Sequence, residues 1–337
     1  MNGDDEEQPE DRGVEGPGRT EGDDLGREGS EGNQDPGERG EGEKREVGDV
    51  PDPAAAGSVD PPQTPLFHAE HAARYERQTL IRAYEQEFGC RLVVMCDTIF
   101  APSVTYFEDL IWNADPDQDL HLMLDTPGGD GETAVRLVRA AQSRCKELTV
   151  IVPNQAKSAG TILLLGAHHV LMGPTSDLGP VDPQLPQPNG RDLFAAKDLI
   201  AAVEAAETAI ASTPDSYPLY ASLFAEFSAV MVQQARSAMA RTGDLVREAL
   251  VSNPDRSNDE VVRIAQALQE QLVDLPRDHG AVFGVDDAEK AGLPVVRANP
   301  AGIQWRLIWR LWTKYFVLAS PVYEGRSASQ VLREGRV

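Results

Sequence analysis

The sequence predicts an α/β fold built on a parallel sheet. Apolar strand-like runs alternate with amphipathic helical stretches, and the loops between them are short. Glycine-rich or small-residue turns stand where strands hand over to helices, at "TPGGDGETAVRLV" (126–138) and at "NQAKSAGTILLLG" (154–166).

The elements follow in chain order. "TPLFHAEHAARYERQTLIRAYEQEFG" (64–89) reads as a helix ending at Gly89, with Tyr75, Leu80 and Tyr84 among its apolar positions. "CRLVVMCDTIF" (90–100), "DLHLMLDT" (119–126) and "ELTVIVPN" (147–154) read as buried strands. Between the last two, Ala134, Leu137, Val138 and Ala141 repeat at helical spacing. "SAGTILLLGA" is a short apolar helix and "HHVLMG" (168–173) a fourth strand, on which His168 and His169 face opposite sides and cannot both serve one site. A turn-rich connection leads to residues 192–275, which read as mostly helical. "VFGVDDAEKAGLPVV" (282–296) reads as a brief helix closed by Gly292 and then a last short strand. The stretch "IQWRLIWRLWTKYFVLA" (303–319) is aromatic, basic and amphipathic, and suits either packing on the protein or docking on a membrane surface.

Composition narrows the function classes. The net charge is −24, and residues 1–50 hold 18 Asp/Glu against 6 Lys/Arg, so about half of the excess lies there. A chain this acidic lacks the electrostatic footprint expected for nucleic acid or for an anionic membrane surface. Residues 1–62 have almost no large apolar side chains and are expected to form a disordered acidic tail. Cys90, Cys96 and Cys145 contain no C-x-x-C pair, which fits reduced thiols rather than disulfides or zinc. His68 and His71 stand at i, i+3 with no third ligand nearby, and read as surface residues. The start "MNGDDEEQPEDRG" has no apolar core of a signal peptide, and no run reaches the length of about 18 apolar residues that a spanning helix needs, so a cytoplasmic, soluble protein is expected.

Two turns carry the candidate chemistry. A serine nucleophile needs exposure on a tight turn, a base, and donors for the developing oxyanion. Ser158, at a strand-to-helix turn and followed by Ala159 and Gly160, meets the first need, although any serine before a helix can also be an ordinary N-cap. Gly128 and Gly129 let the backbone turn so that successive N–H groups point into one concavity, an anion nest. A phosphate-binding P-loop is excluded, because Ile151 and Ala156 stand where that motif requires glycine.

Taken in order, "DTPGG", "AKSAGT" and "VLMGPTSDLGPVDPQ" resemble the Clp/crotonase fold, a spiral of β-β-α units. Within it the chain resembles the serine dehydrogenase proteinase family, related to signal-peptide peptidase A and to the Clp protease subunit. "YERQTLIRAYE" (75–85) and "HGAVFGVDDAEKAGL" (279–293) resemble that family's opening and closing segments. The resemblance implies a peptidase domain over residues 63–300, followed by a C-terminal extension over 301–337. It implies a serine endopeptidase with Ser158 as nucleophile and Gly128 and Gly129 as oxyanion donors, acting on extended or unfolded polypeptide bound along a strand edge beside "TPGG". No metal, nucleotide or other cofactor is called for, and a homo-oligomer is implied.

The base is open at this point. Clp-type proteases place a histidine about 25 residues after the serine, where this chain reads "VDPQ" (181–184). Signal-peptide peptidases use a later lysine, and Lys197 falls at a comparable interval, with Leu193 and Ile200 beside it on a helical wheel and Glu204 on the same face. Lys157 and His279 are the rival bases. Two other readings compete: a crotonase-type acyl-thioester enzyme, which needs a catalytic carboxylate, and a non-catalytic scaffold that binds through its acidic tail and aromatic C-terminal stretch.

Overall fold

A computed structural model describes residues 64–187, 192–274 and 282–331; the acidic segment 1–62 and His279 lie outside them. The chain opens with helix α1 (Pro65–Phe88), capped by the Thr64 side chain and stopped by Gly89 in the left-handed conformation, φ 64°. Strand β1 (Arg91–Cys96), helix α2 (Ser103–Ile111), β2 (Leu120–Asp125), α3 (Gly131–Gln142), β3 (Leu148–Val152), β4 (Gln155–Ala156), α4 (Ala159–Leu164), β5 (His169–Met172) and β6 (Asp177–Leu178) follow. Then come β7 (Gln184–Pro186), β8 (Leu193–Ala195), α5 (Ala196–Ser212), α6 (Tyr217–Leu223), α7 (Ala229–Val251) and α8 (Asn258–Leu268). The described residues close with α9 (Val285–Lys290), β9 (Val295–Arg297), α10 (Ile303–Leu318), β10 (Val322–Glu324) and β11 (Ser329–Val331).

The main sheet runs β11-β10-β1-β2-β3-β5-β9. The strands from β1 to β9 are parallel, and β10 and β11 are antiparallel at one edge. Both faces are covered, which is why the strand sequences read as continuous apolar runs. Val93, Met95, Leu122, Leu124, Val150 and Val152 join the core toward α2, α3, α4 and α7. The alternate residues Leu92, Val94, Met123, Ile151 and Leu171 join a second core with α1 and α10.

Beyond the C-terminal end of each central strand, the chain takes a second extended step before its helix. Ile99 bridges Gly129, Thr126 bridges Ala156, β4 pairs in parallel with β6, and Leu178 bridges Phe283. These repeated strand, short strand and helix units are the β-β-α spiral expected from the motifs. Their short second strands form a rank of turns at the C-terminal ends of the sheet, where the two glycine- and serine-bearing loops stand.

Two regions differ from expectation. Residues after 301 are not an extension beyond the domain, because β10 enters the main sheet beside β1. Glu324 in that strand is fully buried, accepts from Arg77 Nε at 2.6 Å and from the Tyr315 hydroxyl at 2.7 Å, and so ties α1, α10 and the sheet edge together. The second difference is a β-hairpin, β7 with β8, inside the turn-rich connection. Leu193 therefore belongs to β8 and is exposed, not a burying neighbour of Lys197 on a helix.

Candidate active site

The turn after β4 places Ser158 under backbone strain. Ser158 and Ala319 are the non-glycine residues with positive φ among those described, both at 49°. Ala319 sits in the ordinary left-handed cap of α10 with ψ 35°, whereas Ser158 has ψ −110°, outside that well. Such a conformation costs on the order of 1–3 kcal/mol and persists only where the surroundings enforce it. They do so through Lys157 N–H to Thr126 O at 3.0 Å, Gly160 N–H to Lys157 O at 2.7 Å and Ile162 N–H to Ser158 O at 3.1 Å. The side chain of Ser158 makes no capping bond to α4, so the ordinary N-cap role does not apply.

The diglycine bend lies directly against this turn. Gly128 has φ 114° and Gly129 φ 132°, both in the region that favours glycine. A Cβ on Gly128 would stand 2.9 Å from Ser158 Cβ, and one on Gly129 would stand 2.1 Å from Ile99 O. At Gly160 a Cβ would meet Thr126 Cγ2 at 2.4 Å. These three glycines let two loops distant in sequence touch through bare backbone.

The two amides of the bend are not equivalent. Gly128 N–H donates to Thr126 Oγ1 at 3.1 Å, so it is already engaged and does not serve as a second open donor. The N–H groups of Gly129 and Ala159 meet no acceptor among the described residues, and both residues line the same cavity as Ser158. Of the two glycines expected to form an anion nest, Gly129 has the unengaged amide, and Ala159 carries the other unengaged amide beside Ser158. The motif at 126–129 does not itself show that Thr126 would turn its hydroxyl back onto the next-but-one amide.

The cavity has a volume of about 220 Å³, with Ser158, Ile162, Val181, Asp182 and Thr242 in its walls. Helix α7 roofs it through Ala238, Arg241, Thr242 and Leu245. Arg241 holds that roof to the start of α3, with Nε and Nη2 each 2.6 Å from the carboxylate of Glu132, and it reaches Glu248 at 2.6 Å. The guanidinium lowers the pKa of Glu132 by hydrogen bonding. A second cavity of about 220 Å³, lined mainly by apolar side chains of α7 and α8, shares Val181 and Thr242 with the first.

The candidate bases separate clearly. Lys157 does not line the cavity; its ammonium pairs with Asp177 and reaches Leu178 O at 3.4 Å, while Gly179 presses on its stem. Lys197, in the first turn of α5, is mostly buried, and its Nζ stands 3.9 Å from Oδ2 of Asp182. Asp182 has a fully buried side chain and forms part of the wall beside Ser158. The structure therefore brings Ser158, Gly129 and Ala159 together and sets Lys197 behind Asp182. Sequence reasoning passed over Asp182, which lies in the "VDPQ" stretch searched for a histidine. His168 accepts from Leu148 N–H at 2.9 Å and His169 meets Glu147 at 3.2 Å; both histidines border one surface pocket away from Ser158.

The site thus combines a strained serine at a parallel-sheet strand end, unengaged backbone amides and a small cavity, on a Clp-like α/β fold. Residues 109–212 match the family described as ClpP-like SDH-type serine proteinase. The match agrees with the resemblance read from the motifs and contains Gly128, Gly129, Ser158, Asp182 and Lys197.

Two proteins of Methanocaldococcus jannaschii are similar over part of their length. The uncharacterized protein MJ0137 is 37% identical over 91 residues, 27% of this chain and 30% of that protein. The uncharacterized protein MJ1495 is 34% identical over 71 residues, 21% of this chain and 24% of that protein. The matched segment thus spans less than a third of either relative. Among solved structures, a serine-to-alanine mutant of the 1510-N membrane-bound stomatin-specific protease is 23% identical, with a TM-score of 0.27 over 32% of this chain and 57% of that one. A lysine-to-alanine mutant of the same protease in complex with a substrate peptide is 24% identical, with a TM-score of 0.27 over 32% and 54%.

Proposed function

We propose that the protein is a serine endopeptidase that hydrolyses peptide bonds of extended or unfolded polypeptides. The observation that carries this reading is the Ser158 hydroxyl, held on a strained turn, without a cap bond, beside the unengaged amides of Gly129 and Ala159. In this reading Ser158 Oγ attacks the scissile carbonyl carbon and passes its proton to Lys197. The two amides hold the oxyanion, and collapse of the tetrahedral adduct expels the amine, which takes the proton back. Water then hydrolyses the acyl-enzyme by the same route in reverse.

Lys197 Nζ stands 3.9 Å from Asp182 Oδ2, so in this reading it turns from that carboxylate toward Ser158 when substrate binds. Substrate backbone has one open donor on the bend, Gly129 N–H, since Thr126, Gly128 and Asp130 are bonded to neighbouring chain. Strand-edge pairing beside "TPGG" is accordingly confined to that point. The neighbouring apolar cavity sharing Val181 and Thr242 suits a hydrophobic side chain beside the scissile bond. Assembly into a homo-oligomer belongs to the same reading.

A fluorophosphonate probe tests it. Labelling is expected at Ser158, abolished in Ser158→Ala and reduced at least a hundredfold in Lys197→Ala; unchanged labelling of the second variant removes Lys197 as base. One observation favours a second reading: Asp182 is a buried carboxylate in the cavity wall, which acyl-thioester chemistry on this fold would use. Thioester hydration that survives Ser158→Ala and is lost in Asp182→Asn would favour it.

A further inference from the structure

The outer face of α10 remains unexplained by the catalytic reading. Its inner face, Trp305, Ile308, Leu311, Trp312 and Tyr315, is buried against α1 and the sheet. The opposite face leaves Ile303 54%, Trp309 44%, Phe316 72% and Val317 80% exposed. Arg306 and Arg310 stand among them, exposed, and neither meets a carboxylate among the described residues. The helix holds three cations, Arg306, Arg310 and Lys314, and no acidic residue, in a chain of net charge −24. Lys314 alone of these is paired, to Glu76 at 2.7 Å.

Beside this face lies an open basin of about 540 Å³, bounded by Pro174, Thr175 and Pro300 and by the two arginines on either side of Trp309. The Trp305 and Trp309 rings stack there with centroids 6.3 Å apart.

We infer that α10 is a membrane-docking surface that lies flat on an anionic lipid bilayer. Indole and phenyl rings seat at the boundary of headgroups and acyl chains, and Arg306 and Arg310 meet lipid phosphates. Charge complementarity selects this occupant. A second copy docked isologously through the same face would oppose guanidinium to guanidinium, whereas an anionic headgroup layer answers both arginines and accepts the aromatic rings. The contact is peripheral, because no helix among the described residues is long and apolar enough to cross a membrane.

Co-sedimentation of the full chain with vesicles tests this. Vesicles of phosphatidylcholine with 30% phosphatidylglycerol are expected to bind it, with a blue shift of tryptophan emission and weakening at high salt, while pure phosphatidylcholine binds far less. Two cations near such a surface amount to about a thirtyfold change in partition, which R306E/R310E is expected to lose or exceed. Trp309→Ala is expected to bind severalfold more weakly and to lose most of the emission shift. Far-UV circular dichroism and probe labelling at Ser158 should stay unchanged in both variants, which separates this inference from the catalytic one. Equal binding to both vesicle types, no binding to either, or concentration-dependent burial of Trp309 in a lipid-free oligomer would overturn it.

Discussion

Two polar regions of this molecule are built on opposite terms. Around Glu324, in the edge strand β10, each buried charge is answered: Arg77 by two contacts to the carboxylate, and Tyr315 by a third. Around Ser158, beside the diglycine bend, polar groups are left open: one hydroxyl without a cap bond and two amides without acceptors. The first joins α1, α10 and the sheet through the Arg77–Glu324–Tyr315 contacts. The second holds strain and unspent hydrogen-bonding capacity next to a cavity, which is what a site that stabilises a transient charge requires.

The comparison breaks most sharply at Gly129. Gly129→Ala would drive a Cβ to 2.1 Å from Ile99 O and force the bend to move. Labelling of Ser158 by a fluorophosphonate is expected to slow by at least about a hundredfold, the scale of losing one oxyanion donor. On the satisfied side, Glu324→Gln leaves the buried Arg77 guanidinium without its counter-charge. A loss of about 3–5 kcal/mol in urea unfolding is expected, with a corresponding drop in Tm, and labelling should persist in the fraction that remains folded.

A smaller effect lies at His121. The Tyr84 hydroxyl accepts from Gln304 at 2.9 Å and lies 2.8 Å from His121 Nδ1. Burial pushes the His121 pKa down to about 4. The unfolded chain binds this proton below about pH 6.5 and the folded chain only below about 4, so stability from His121 is present above 6.5 and lost as pH falls toward 4. His121→Gln should lower stability at neutral pH and flatten its fall across that window by about 2–3 kcal/mol, read by urea unfolding at each pH. The least effect is expected at the exposed clamp of the roof. Arg241→Ala frees α7 from Glu132 and should change peptide-cleavage kcat/KM only severalfold, with little change in Tm.

The same contrast explains what was legible in the sequence. Strands β1, β2, β3 and β5 were readable because a sheet covered on both faces writes continuous apolar runs, such as "RLVVMC" and "LTVIV". Gly89, Gly128, Gly129 and Gly292 all occupy positive φ, and each had marked a turn or a helix end. Strand β10 was hidden, since "VYE" is short and carries a charge whose partner, Arg77, lies 247 residues away. Ser158 and the bend were found because local motifs mark them. The engagement of Gly128 by Thr126, the place of Asp182 between cavity and Lys197, and the α7 roof each depend on contacts that local spacing does not encode. Lys197 was named on interval, and its burial comes with Asp182, not with Leu193 or the exposed Glu204.

The most direct test of the central claim is intact-mass and peptide-mapping analysis of the folded chain after exposure to a fluorophosphonate. A single adduct on Ser158, absent from Ser158→Ala and strongly slowed by Gly129→Ala, is the predicted result. A folded protein that takes no label, or one modified at another serine while Ser158 stays untouched, would contradict it.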